Sequence, residues 1–224
     1  MLTLVGRDVE FGPVKHSLDG QTFKVLDLSD QASDMELSVP LLGLHQVENA
    51  ATAYAAIRRS GLCNSNEAVY KGFAEVKWPA RFEVVRREPP VIFDSAHNQD
   101  SFARLGQALD DYFPNTQVYL IFGASEDKNI LGMFAEIKPK VKLMFVTKAD
   151  HPRALELQKI QELARQAEIP NEALIPVGAA LARALDLSEK DGSIVLSAGS
   201  MFVTAEVMAA WKKLELGVGA VMKR

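Results

Sequence analysis

The sequence predicts an α/β fold: a mostly parallel sheet flanked by helices, preceded by a small α+β segment. Three observations carry that prediction. From residue 82 onward, short runs rich in β-branched and aromatic residues alternate with amphipathic stretches at helical spacing, the pattern of βαβ units whose crossovers cover a parallel sheet. Val91-Ile92-Phe93 is apolar throughout, as a strand buried on both faces requires. Residues 1 to 44 differ, with strand-like pieces broken by Gly12-Pro13, Asp19-Gly20 and Pro40, a turn-rich composition suited to small antiparallel strands.

In the leading segment, residues 23–28 and 35–39 read as strands, 47–59 as an Ala-rich helix and 65–74 as a second helix. Both helices end before Trp78-Pro79, where proline disfavours helical geometry for its predecessor. The boundary expected there divides the chain into 1–78 and 79–224. Beyond it, strands are expected at 82–86, 91–94, 118–122, 143–147, 174–177 and 194–197. Phe102, Leu105, Leu109 and Tyr112 form one helical stripe and Leu155, Ile160, Leu163 and Ala167 another, with further helices over 179–187 and 201–216. Asp94, Gly123, Thr147 and Gly199 each follow a strand, so four loops should meet at the carboxyl edge of the sheet, where open α/β sheets collect ligands.

The chain has 224 residues, 48% of them apolar, enough for a real core. A formal net charge of -4 argues against a dedicated nucleic-acid binder. The single cysteine, Cys63, rules out an internal disulfide and a thiolate metal cluster, and favours a reducing cytoplasm. A basic segment leading into an apolar run is missing at the N-terminus, and nothing approaches the roughly 20 apolar residues of a membrane helix. Neither secretion nor membrane insertion is expected.

A phosphate-cradling loop needs a Gly-Lys pair, and none occurs. Gly217-Val218-Gly219 is followed by Met222 where a dinucleotide fingerprint needs its third glycine. Four constellations remain. In Gly43-Leu44-His45-Gln46-Val47-Glu48-Asn49-Ala50-Ala51, His45 and Asn49 share a helical face, and an Asn amide suits a purine edge, though a capping histidine and an exposed Asn are the plainer reading of the spacing alone. Arg81 can grip phosphate oxygens and Asp94 can accept from ribose hydroxyls, while an ordinary surface salt bridge for Arg81 is the plain alternative. His97 has no second metal-binding side chain at ligand spacing, which leaves a loop role or a substrate contact. Ser200 follows Gly199 at a strand-to-helix turn but lacks the nucleophile pattern, since Phe202 stands where glycine is required. Asp127-Lys128 and His151-Pro152-Arg153 lie in the same edge region, the former most simply a solvated ion pair.

Taken together, Gly43 to Ala51, Arg81-Phe82-Glu83-Val84-Val85, Pro90 to Asn98 with its Asp94-Ser95-Ala96-His97-Asn98, Phe122-Gly123 through Asp127-Lys128, Arg153-Ala154-Leu155 and Gly199-Ser200 resemble the C-terminal part of the folylpolyglutamate synthase / dihydrofolate synthase family in the Mur ligase superfamily. Ser95 stands where that family usually has glycine. The resemblance implies a Rossmann-like C-terminal domain over 79–224 and, over 1–78, a remnant of the central ATPase domain. It implies an ATP-dependent ligase that activates a folate or dihydropteroate carboxylate as an acyl phosphate, which the glutamate amine then attacks, with Mg²⁺ held by ligands in an N-terminal part. By resemblance Asn49 would face the base, Arg81 the phosphates and Asp94 the ribose, and His97 and Ser200 would border the glutamate site. A C-terminal portion without a phosphate loop is expected to be inactive alone. Two rivals stay open: another amino-acid ligase of the superfamily, and a non-catalytic nucleotide-binding module.

Overall fold

The structure, a computed structural model, describes residues 2–29, 34–63 and 65–221, with side chains described as far as residue 216. The chain divides into two compact units, Met1–Pro79 and Ala80–Arg224.

The first unit is a three-stranded antiparallel sheet, β1 (Val9–Ser17), β2 (Gly20–Asp27) and β3 (Met35–Val39), in that spatial order, with helices α1 (Leu44–Ser60) and α2 (Asn66–Ala74). Burial alternates strictly along β2 and β3: Phe23 and Val25, then Met35, Leu37 and Val39, point inward against Val47, Ala51, Tyr54, Val69 and Phe73 of the helices, as a sheet with one wet face demands. β1 runs straight through Gly12-Pro13, where the sequence led us to expect a break. It is an edge strand and its register shifts between Pro13 and Lys15, a position where the missing proline N–H costs no ladder bond. Ser65 caps α2, its hydroxyl accepting from Ala68 N at 3.2 Å. The buried Asp27 carboxylate meets Arg59 at 2.7 Å and accepts from the N–H and hydroxyl of Ser29.

The second unit is a six-stranded sheet with helices on both faces. Its elements run β4 (Glu83–Arg87), β5 (Pro90–Phe93), α3 (Gln99–Tyr112), β6 (Val118–Phe122), α4 (Ile130–Ile137), β7 (Val141–Val146), α5 (Leu157–Gln166), β8 (Asn171–Ala173), α6 (Val177–Asp191), β9 (Ile194–Ala198) and α7 (Met201–Val221). The spatial order is β4-β5-β9-β6-β7-β8, parallel except for β4, which is antiparallel to β5. Every residue of the central strands β6 and β9 is buried, which explains why all of them but Ser197 are apolar. One face, with Phe93, Tyr119, Ile121, Phe145 and Val195, packs against α6 and α7. On the other, Phe122 meets Phe102 of α3 and Phe134 of α4 at ring separations of 6.1 and 5.0 Å.

Two expectations need correction. The strand expected at 174–177 lies at Asn171–Ala173, and Val177 opens α6 instead. β8 is a half-buried edge strand of Asn171, Glu172 and Ala173 and so lacks the apolar signature of its neighbours. Helix α4 was not anticipated, although Ile130, Met133, Phe134 and Ile137 are buried at helical spacing and the Asn129 side chain caps Gly132 N. Among the described residues no helix is long and apolar enough to cross a membrane.

Candidate functional site

The carboxyl ends of β5, β9, β6 and β7 form one continuous edge because the four strands are parallel neighbours. The loops that leave them are stitched together by main-chain bonds. Asp94 N donates to Ser197 O at 3.0 Å, Gly199 N to Ala96 O at 2.8 Å and Thr147 N to Phe122 O at 2.9 Å. Gly199 turns the chain away from β9 with φ +105°, and a Cβ there would lie 2.5 Å from Gly123 O and 2.6 Å from the Phe122 ring. Only glycine fits such a close backbone crossing.

Arg81 reaches this edge through the hairpin. With Glu83 opposite Phe93 in antiparallel register, residues 80 to 82 lie opposite residues 94 to 96, and Ser95 N donates to Ala80 O at 2.9 Å. Arg81 sits between two residues in the left-handed region, Ala80 at φ +56° and Phe82 at φ +47°. For residues with a Cβ that conformation is strained, and it persists where the surroundings over-determine it. Three groups do so here. The Asp94 carboxylate accepts from Phe82 N at 2.8 Å, the Glu83 carboxylate accepts from Ala80 N at 2.8 Å, and the buried Phe82 ring packs 5.8 Å from Tyr112 and 6.4 Å from Phe113.

Asp94 is the hub. It is 9% exposed; its second carboxylate oxygen accepts from Ala96 N at 2.6 Å, and its carbonyl accepts from the Thr204 hydroxyl at 2.9 Å, which in turn lies 3.0 Å from the Ser197 hydroxyl. Burial raises the carboxyl pKa to about 6, against the pull of the Ala96 and Phe82 amides and the nearby charges of Arg81 and His97. Desolvation outweighs the hydrogen bonds because both partners are neutral dipoles.

Two loop residues complete this part of the edge. The His97 Nδ1 lies 2.9 Å from Ser95 O; a carbonyl can only accept, so Nδ1 donates. Its own N–H donates to the Ser101 hydroxyl, which belongs to the capping box of α3. Ser200 is buried at the start of α7, its hydroxyl accepting from Phe202 N at 3.2 Å. A small cleft beside it is lined by Ser125, Lys148, His151 and Phe202, the last two rings stacked at 3.8 Å. Lys148 is paired with Glu156 at 2.8 Å, and Lys128 with Asp127 at 2.9 Å on the surface.

The structure therefore brings Arg81, Asp94, His97 and Ser200 to one sheet edge. Asn49 belongs to the first unit: it is exposed on the second turn of α1, its amide donating to Gln46 Oε1 at 3.2 Å, and Gln46 Nε2 lies 3.1 Å from His45 Nε2. Glu83 and Thr204 are the residues that sequence reasoning passed over. Glu83 stood inside the Arg-Phe-Glu run without a role, and Thr204 carried no signal at all. A groove of the first unit, between Lys15, Thr22, Ser38 and Pro40, holds none of the predicted residues. Among the described residues no group of three or more His, Cys, Asp or Glu side chains is placed to hold a metal ion.

Comparison with known proteins bears on this edge directly. Residues 80–201 match the family model described as Mur ligase, glutamate ligase domain. A probable bifunctional folylpolyglutamate synthase/dihydropteroate synthase of Haloferax volcanii is 32% identical over 185 residues, covering 81% of this chain and 22% of that protein. Escherichia coli FolC, solved in complex with DHPP and ADP, superposes with a TM-score of 0.77 at 28% identity over 94% of this chain and 47% of its own. Mycobacterium tuberculosis folylpolyglutamate synthase complexed with ADP gives a TM-score of 0.80 at 25% identity over 92% and 48%. The chain thus spans less than half the length of these relatives. A matched region of 122 residues that contains the Arg81 turn, Asp94, His97 and Ser200 places the chain in the Mur ligase family, through its glutamate ligase domain.

Proposed function

We propose that this chain contributes the nucleotide-facing edge of an ATP-dependent ligase of the folylpolyglutamate/dihydrofolate synthase type, joining glutamate to a folate or dihydropteroate carboxylate. The observation that carries the proposal is the strained Arg81 turn locked onto the buried Asp94 carboxylate. A guanidinium held at a sheet edge by its own backbone is pre-set to meet phosphate oxygens. Each Asp94 oxygen already accepts one backbone N–H and keeps a lone pair that a ribose hydroxyl can fill. The donor set therefore fits a nucleotide. Asn49 would contribute an amide donor and acceptor to the base.

ATP supplies the phosphoryl group that activates the acceptor carboxylate for amide formation. The residues of this chain do the rest of what we assign here. Arg81 binds and orients phosphate, Asp94 holds the turn and the ribose, and His97 and Ser200 border the glutamate. Glutamate ligation also needs a phosphate-binding loop and Mg²⁺; this chain has no Gly-Lys pair, and among its described residues no three His, Cys, Asp or Glu side chains group to hold a metal ion. We assign both to a further ATPase domain, of which the first unit would be the last piece, the second unit being the C-terminal Rossmann-like domain. Substrates of this class and the single cysteine point to the cytoplasm.

The test is ATP- and folate-dependent incorporation of labelled glutamate by the polypeptide that carries this chain together with its upstream segment. Arg81→Ala or Asp94→Ala should lower turnover about 100-fold, or about 2.7 kcal/mol at 1.36 kcal/mol per decade. Near-normal turnover in both variants would refute the assignment.

A further inference from the structure

We infer that Glu83 is a positioning residue for the nucleotide: its side chain holds the Ala80–Phe82 turn in the one backbone shape that presents Arg81 to phosphate. The inference rests on the nucleotide reading of Arg81 above and goes beyond it by naming what sets that arginine.

Glu83 opens β4, and its carboxylate turns back three residues to accept from Ala80 N at 2.8 Å. Asp94 takes the other end of the same turn, accepting from Phe82 N at 2.8 Å. The two carboxylates thus grip the two residues that occupy the left-handed region, Ala80 and Phe82. Ser95 N closes the middle on Ala80 O at 2.9 Å. Neither Ala nor Phe favours that region, so both would leave it if their amides lost these acceptors. The Phe82 end has a second anchor in its buried ring. On the Ala80 side a methyl group offers no comparable packing, and Glu83 is the acceptor for its amide. A flexible arginine binds an anion more tightly when its backbone does not have to be ordered on binding.

Charge and shape make opposite demands here. A carboxylate beside Arg81 weakens that residue's attraction for an anion, so its presence is understandable only if its hydrogen bond matters more than its charge. The conservative substitution separates the two. Glu83→Gln keeps a carbonyl oxygen at the same reach and discards the charge, whereas Glu83→Ala discards both.

The experiment is equilibrium dialysis of labelled ADP against the full chain, together with amide hydrogen exchange at Ala80 and Phe82. Arg81→Ala should weaken ADP binding about tenfold or more, and Glu83→Ala should weaken it comparably while exchange at Ala80 accelerates. Glu83→Gln should bind as well as the wild type, with Ala80 still protected. Wild-type binding by Glu83→Ala, alongside a weakened Arg81→Ala, overturns the inference and leaves the nucleotide reading standing. Loss of binding in Glu83→Gln equal to that in Glu83→Ala overturns it as well, because the charge would then be the active feature. Unaltered ADP binding in Arg81→Ala sinks the nucleotide reading and the inference with it.

Discussion

Replacing Asp94 by Asn changes one atom, yet its effect on stability should depend on pH. Asn keeps one carbonyl oxygen for Phe82 N or Ala96 N and turns an NH₂ donor toward the other, leaving a buried amide without an acceptor at a cost of about 1–3 kcal/mol. The wild-type side chain has a cost of its own. Its pKa rises from 3.8 to about 6 because burial disfavours the charged form. With the folded value above the unfolded one, the native state binds the extra proton between these limits, so its contribution is largest below pH 3.8 and is lost as pH rises toward 6. About 2 pKa units at 1.36 kcal/mol each make that loss about 3 kcal/mol. Asn cannot titrate, so the stability advantage of wild type over Asp94→Asn should shrink by about 2–3 kcal/mol between pH 4 and pH 7. Urea unfolding at a series of pH values measures it. Trp211 packs on Phe93 and Arg86, beside Asp94, and with Trp78 replaced by Phe its fluorescence reports the second unit alone. A gap that stays constant, or widens as pH rises, would show that the backbone amides outweigh burial, and the account of Asp94 would be wrong.

Two further perturbations probe the frame of the site and the first unit. Gly199→Ala combines a disfavoured φ of +105° with a Cβ 2.5 Å from Gly123 O, and should destabilise the second unit by about 3 kcal/mol or more in thermal unfolding; a loss below about 1 kcal/mol would mean the crossing of β6 and β9 has slack. In the first unit, burial pushes the Asp27 carboxyl up, but hydrogen bonds from Arg59 and Ser29 and the charge of Arg59 leave it below its ordinary value. That contribution is present above the ordinary carboxylate pKa and fades as pH falls through the lower folded value. Arg59→Met should therefore cost about 1–2 kcal/mol at neutral pH, discounted because the guanidinium is partly exposed, and the difference from wild type should close in acid.

Much of the second unit was legible because its centre obeys one simple rule. β6 and β9 are covered on both faces, so their residues are apolar apart from Ser197, and α3 shows a clean stripe because one face is wet. What failed had less burial behind it. β8 is three half-buried edge residues and announces nothing. The direction of β4 was legible and was missed: Glu88-Pro89 alone connects Arg87 to Pro90, and a parallel crossover needs a dozen residues or more. That oversight mattered, since the hairpin is what brings Arg81 back to Asp94. The residue types of the site could be found from motifs, but the turn could not. Positive φ at Ala80 and Phe82 leaves no trace in sequence, because neither is glycine, and it exists only through acceptors supplied by Glu83 and Asp94.

We propose that Arg81 and Asp94 serve one nucleotide. Titrating ADP into the isotopically labelled chain and following the Arg81 Nε–H and the Phe82 and Ala96 backbone amides tests it most directly. All three signals should move along a single binding isotherm, weak but saturable. Separate isotherms, or saturation with the Arg81 and Phe82 signals unmoved, would contradict it.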